Sequence, residues 1–163
     1  MTAPNNPSWS SLLANPVHAL AFGFGSGLSP KAPGTAGTLA AIPLYLLMSS
    51  LPLIAYVIML VVTFAIGVYL CDKTSRDLAV HDHPGIVWDE FVGYWITMLA
   101  APAGWLWVFV GFLWFRLFDV LKPWPINWLD AKVEGGFGIM IDDVLAGVMA
   151  LICVQLTFWV VAA

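Results

Sequence analysis

Two pairs of adjacent carboxylates, Asp89 with Glu90 in IVWDEFVGYW and Asp142 with Asp143 in IMIDDVLAG, stand where polar stretches give way to apolar ones. One acid at such a boundary reads as a helix N-cap, because a carboxylate accepts backbone N–H bonds there and favours the helix dipole. A second acid is not needed for a cap, and ionisable groups beside membrane segments are functional candidates by default. Four carboxylates gathered by helix packing repel one another unless a cation lies between them. All-oxygen ligands of this kind suit Mg²⁺, whose octahedron is completed by waters and substrate phosphate. Capping and metal binding both remain open for each pair at this point.

The segment FRLFDVLKPWP spaces Arg116, Asp119 and Lys122 three apart, which puts them on one side of a helix end. One reading is an Arg116 to Asp119 ion pair with Lys122 snorkelling to the interface. The other adds Asp119 to the metal cluster while Arg116, a planar fork, and Lys122, a point charge, grip a phosphate. The stretch GFGSGLSPKAPGTAGT reads as a loop with exposed amides that leads into a helix, either an interfacial turn or an anion cradle. It matches neither a P-loop nor a dinucleotide fingerprint. Lys31, Thr35 and Thr38 are its candidate substrate contacts. EGGFG, at 134–138, is a second flexible segment ahead of Asp142. His81 and His83 bracket Asp82 at a spacing that separates them on a helix, and Pro84 favours a loop. Asp72, Lys73, Arg76 and Asp77 form two i, i+4 pairs that read as a solvated turn, with Asp77 able to reach the site.

The elements that must position these residues are apolar runs at Thr38–Ser49, Leu53–Cys71, Val87–Ala101, Trp105–Leu121 and Val144–Ala163. A crossing helix needs about 20 apolar residues, with a range of about 17 to 25. The second, fourth and fifth runs are long enough, whereas the first and third are short and could re-enter. The expected fold is all-α: a polytopic helical membrane protein with four or five membrane helices, organised as one domain over residues 1–163. Residues 1–21 form its peripheral N-terminal segment, with a short surface helix between Ser8 and Ala21. Among the first thirty residues there is no Lys or Arg, so the basic start of a secretory signal is missing.

Charge falls at Lys31, from Asp72 to Glu90 and from Arg116 to Asp143, and nowhere else. If all five runs cross, those stretches share one face, which the positive-inside rule makes cytoplasmic. Hydrophobic residues make up 61% and charged residues 10% of the 163, with a mean hydropathy of +0.88. Soluble domains carry about 25% charged residues, so the composition is that of a membrane protein. A net charge of −4 leaves no basic footprint for nucleic acid. Cys71 and Cys153 have neither metal-site spacing nor disulfide density and read as packing residues.

The blocks GFGSGLSPKAPGT, AVHDHPGIVWDEFVG, FRLFDVLKPWPI and GGFGIMIDDVLAG, in that order, resemble the phosphatidylglycerophosphatase A family from about Asn15 to about Leu151. The matching positions are Gly34, Thr35, Gly37, Asp89, Glu90, Gly93, Arg116, Asp119, Lys122, Pro123, Asp142, Asp143 and Gly147. The resemblance implies a Mg²⁺-dependent lipid phosphatase of the bacterial inner membrane. Its expected partners are phosphatidylglycerophosphate and other membrane phospholipids, and its product phosphatidylglycerol. It also implies that Asp89, Glu90, Asp119, Asp142 and Asp143 serve as catalytic and metal-binding residues. The absence of Cys-x5-Arg and D-x-D-x-T patterns favours metal-assisted direct hydrolysis over a covalent route. A rival reading, a small transporter or cation-binding membrane protein, calls for acids near the bilayer midplane. A CDP-alcohol phosphotransferase requires D-x-x-D-G-x-x-A-R, which is absent.

Overall fold

A computed structural model describes residues 7–80 and 83–162, and among them every regular element is helical. His81 and Asp82 therefore lie outside the described residues, as do the first six positions of the N-terminal segment. The apolar runs become α3 (Pro33–Met48), α4 (Leu53–Leu78), α5 (Trp88–Thr97), α6 (Trp105–Leu121) and α8 (Gly135–Ala162). Local chemistry sets their limits. Pro33 opens α3 at a position where its missing N–H costs nothing. Ala79 ends α4 in a left-handed conformation, and Lys122 does the same for α6 directly before Pro123.

Two of these helices, α4 with 26 residues and α8 with 28, are long and apolar enough to cross a membrane. At 1.5 Å per residue both exceed a hydrocarbon core of about 30 Å. Their outward faces are apolar at helical spacing: Ile54, Val57, Ile58, Val61 and Val62 on α4, and Val148, Ile152 and Leu156 on α8, are all exposed. Such a continuous apolar surface suits lipid rather than water. With 10 residues, α5 reaches only about 15 Å. It lies inside the bundle, packed on α3, α4, α6 and α8, with Phe91, Val92 and Tyr94 fully buried. Two buried polar side chains at its C-terminal half are satisfied: Tyr56 Oη donates to the Trp95 carbonyl at 2.8 Å, and Trp95 Nε1 donates to the Ala41 carbonyl at 3.1 Å.

The α5 and α8 backbones touch. A Cβ on Gly93 would sit 2.7 Å from the Asp143 carbonyl oxygen, and one on Gly147 would run into the Gly93 carbonyl. Small residues on both sides allow this approach, as at helix crossings in membranes generally. It carries the Asp143 turn of α8 onto the first turn of α5.

At the N-terminal end, the expected single surface helix is two short ones, α1 (Trp9–Ala14) and α2 (Pro16–Ala21), split at Asn15, whose side chain accepts from the Val17 N–H. A 3₁₀ turn, Gly23–Leu28, follows, with its glycines at 23, 25 and 27 buried instead of presenting open amides. α7 (Ile126–Asp130) lies between α6 and α8 and packs on α8. Gly135–Gly138, expected as a flexible link, is the first turn of α8, so this helix starts at Gly135 instead of Val144. Asp142 and Asp143 therefore stand inside a helix and cannot cap it. Asp89 and Glu90 do occupy the first turn of α5.

Candidate active site

Five helix segments line a cavity of about 340 Å³: the start of α3, the start of α5, the end of α6, the end of α7 and the first third of α8. Six carboxylates line it, from Asp89, Glu90, Asp119, Asp130, Asp142 and Asp143, against two cations, Arg116 and Lys122. This excess decides what the cavity can hold. It repels a phosphate unless further positive charge enters.

Three of the acids are drawn together. Asp89, Glu90 and Asp143 each offer an oxygen within 4.8 Å of the other two. Glu90 Oε2 and Asp143 Oδ2 are buried without a hydrogen-bond partner. Buried carboxylate oxygens in that condition are costly unless a cation takes them. The donor set is all oxygen, with neither His nor Cys in the group, which fits a hard divalent cation such as Mg²⁺.

Arg116 borders this group. Its Nη1 lies 2.5 Å from Asp119 Oδ2 and 4.0 Å from Glu90 Oε1. The same nitrogen donates to Thr38 Oγ1 at 3.4 Å, and Thr38 in turn donates to the Gly34 carbonyl at 3.0 Å. A Cβ on Gly34 would strike Glu90 Oε1 and come 3.2 Å from Arg116 Nη1, so glycine is what lets α3 begin against the acids. Thr38 thus holds the arginine from the α3 side while Asp119 holds it from its own helix. Asp119 still acts electrostatically on both Glu90 and Asp143, although it stands outside the group of three.

Lys122 forms a second centre. Its Nζ lies 2.7 Å from Asp142 Oδ2 and 3.0 Å from Asp130 Oδ1. Burial pulls the lysine pKa down, but the hydrogen bond and charge of Asp142, reinforced by Asp130, outweigh it and raise the pKa above the usual lysine value. The ammonium is therefore permanently charged at neutral pH. Adjacent in sequence, Asp142 and Asp143 face different partners: Asp143 joins the carboxylate group and Asp142 pairs with Lys122.

The remaining sequence candidates fall elsewhere. Lys31 is exposed and, like half-buried Thr35, does not line the cavity. His83 is buried, with Nδ1 accepting from the Gly85 N–H at 3.0 Å and its ring against Phe22, a packing position. Asp77 pairs with Lys73 and with His18 Nε2, 2.9 Å away, and does not line the cavity. Asp130 is the lining acid that the sequence reading missed. It sits in a stretch, NWLDAK, whose lone acid carries no pairing signal, and it reaches Lys122 because α7 folds back onto α8.

Known proteins resemble this chain over most of its length. The family model for phosphatidylglycerophosphatase A matches residues 19–158. Phosphatidylglycerophosphatase A of Escherichia coli (strain K12) is 56% identical over 139 residues, covering 85% of this chain and 81% of that protein. The Haemophilus influenzae protein of the same name is 51% identical over 158 residues, 95% and 97% of the two chains. A putative phosphatidylinositol-3-phosphatase of Bacteroides thetaiotaomicron is 42% identical over 147 residues, 85% of this chain and 91% of that one. No solved structure matches.

Proposed function

The chain belongs to the phosphatidylglycerophosphatase A family, and from that premise we propose how its cavity performs the reaction. The protein is a phosphatidylglycerophosphatase: the terminal phosphomonoester of phosphatidylglycerophosphate is hydrolysed, its phosphoryl group passing to water with phosphatidylglycerol as the leaving alcohol and inorganic phosphate as the second product. The observation that carries the siting of this chemistry is the group of Asp89, Glu90 and Asp143, with buried unsatisfied oxygens on Glu90 and Asp143, beside Arg116.

We assign Asp89, Glu90 and Asp143 as the residues that hold Mg²⁺. When bound, the ion would polarise the phosphoryl oxygens and supply an activated water for direct hydrolysis. Arg116 offers a planar fork to the phosphoryl group and neutralises charge that builds there. Asp119 and Thr38 keep that fork aimed. Pre-aiming matters because a group already in place has no reorganisation to undergo as the transition state forms. Lys122, fully charged, adds a second positive point, and Asp142 keeps it at the cavity wall. Lys31, Thr35 and Thr38 were the other substrate candidates; of these Thr38 keeps a role, through Arg116.

The substrate is amphiphilic, so its acyl chains stay in the bilayer while its phosphates meet the end of the bundle where charge is concentrated. We place that end at the cytoplasmic face of the bacterial inner membrane, with α3, α4, α6 and α8 crossing, α5 as a short internal helix, and α1 and α2 on the surface. The supports are the confinement of every Lys and Arg to three stretches and the lipid-facing character of α4 and α8. Labelling of a Lys31→Cys variant by an impermeant thiol reagent added outside intact cells would overturn this orientation. The transporter alternative gains nothing from these helices, since the acids gather at the start of α5, the end of α6 and the first third of α8, toward one end of the bundle.

The test of the reaction is phosphate release by the purified protein from phosphatidylglycerophosphate in detergent, with Mg²⁺ or with excess chelator. Release should require the ion and return when Mg²⁺ is restored. Full activity in chelator would remove the metal from the proposal.

A further inference from the structure

The cavity carries two cations in different settings, and the substrate carries two phosphates of different kinds. Arg116 is nearly enclosed, its side chain 16% exposed, and lies beside the carboxylate group. Lys122 is 30% exposed and shares its ammonium with Asp130, itself 45% exposed at the cavity mouth. Six residues of helix separate the two by about 9 Å along the axis. In phosphatidylglycerophosphate a glycerol separates the terminal monoester from the diester that joins the headgroup to the lipid.

The chemistry of each cation matches one phosphate. A monoester is close to a dianion with three terminal oxygens, which suits a bidentate guanidinium next to a metal site. A diester carries a single charge, for which the point charge of an ammonium is enough. That ammonium has three N–H donors. Asp142 and Asp130 take two of them, which leaves one for a ligand oxygen.

We propose that Arg116 and Lys122 divide the headgroup, Arg116 holding the monoester that is cleaved and Lys122 the diester that is not, so that Lys122 selects lipids bearing both phosphates. This rests on the reaction assigned above and adds to it a specificity residue. Asp130 is then a positioning residue: together with Asp142 it keeps the ammonium at the mouth, at the depth of the lipid linkage.

The experiment compares phosphatidylglycerophosphate with phosphatidic acid, a lipid whose monoester has no diester beside it, as substrates for the wild type and for Lys122→Gln. A charge-assisted hydrogen bond is worth about tenfold or more in affinity. The wild type should therefore favour phosphatidylglycerophosphate in kcat/KM by at least about tenfold, with the preference residing in KM. Lys122→Gln should lower that ratio by about tenfold, and Lys122→Arg should retain most of it. Equal kcat/KM for the two lipids in the wild type overturns the inference whether or not the variants fold. An equal loss on both lipids in Lys122→Gln also overturns it, because the lysine would then serve the cleaved phosphate. Failure of the wild type to hydrolyse either lipid removes the assigned reaction, and this inference with it.

Discussion

Two groups of acids occupy the same end of the molecule and differ in every respect that bears on function. At the end of α4, Asp72 pairs with Arg76 and Lys73 with Asp77, while His18 also bonds Asp77. Each carboxylate there has its own cation, and both sit near solvent at 30% exposure. Where α5 meets α8, Asp89, Glu90 and Asp143 draw together beside one guanidinium, which lies 4.0 Å from Glu90 and which Asp119 already engages. Acids whose charges are matched where they stand are surface structure, whereas buried acids in excess have the charge and donor set that a cation site requires. The number of carboxylates does not separate the two groups. The balance of partners and burial does.

The contrast is broken most severely by isosteric neutralisation of the buried group. Asp143→Asn, Glu90→Gln and Asp89→Asn should each lower phosphatase turnover by at least about a hundredfold, the scale of losing one preorganised electrostatic contact in an active site. The bundle should stay intact, as circular dichroism and the elution volume in detergent can verify. Near-normal turnover in all three would return the acids to a structural role.

The next effect acts on the contact that brings the group together. Gly147→Ala places a Cβ against the Gly93 backbone, which has no side chain to move aside. Overpacking of this kind costs about 1–3 kcal/mol, and the shift of α8 should carry Asp143 away from Glu90. Thermal unfolding in detergent should show the loss, and activity should fall with it. Unchanged stability and activity would mean that the two helices are not in contact.

The smallest effect belongs to the matched group. Arg76→Gln removes an exposed i, i+4 pair, so stability should change by less than about 0.5 kcal/mol and turnover by less than about twofold. A large loss of activity there would erase the distinction between the two groups.

Much of this could be read from the chain. The limits at Leu53, Trp105 and Leu121 were met because Pro52, the APAG turn and Pro123 punctuate the chain there, and punctuation is a local signal, whereas α3 and α8 start before their expected runs and α4 ends after its own. The third run was read too long: α5 stops at Thr97, and Met98 to Gly104 closes the turn outside any helix. The acid pairs stood out because charge is scarce in an apolar chain. Their division of labour did not. That Asp143 joins Asp89 and Glu90 while Asp142 turns to Lys122 follows from 3.6-residue geometry only once α8 is known to start at Gly135, and three glycines within its first turn concealed that start. The crossing of α5 on α8 is a non-local contact between Gly93 and Gly147, and single glycines in apolar helices leave no periodic trace. Asp130 was hidden for the same reason, since its partner Lys122 is brought to it by the fold of α7.

The central claim, that the buried excess of carboxylates is a divalent-cation site, is tested most directly by binding rather than by turnover. Purified protein without lipid would be titrated with Mn²⁺, a paramagnetic stand-in for Mg²⁺, and the free ion followed by electron paramagnetic resonance. The wild type and Asp72→Asn should bind Mn²⁺ alike and release it to Mg²⁺, while Asp143→Asn and Glu90→Gln should bind at least about tenfold more weakly. Equal binding by wild type and Asp143→Asn, or loss of binding in Asp72→Asn instead, would contradict the account.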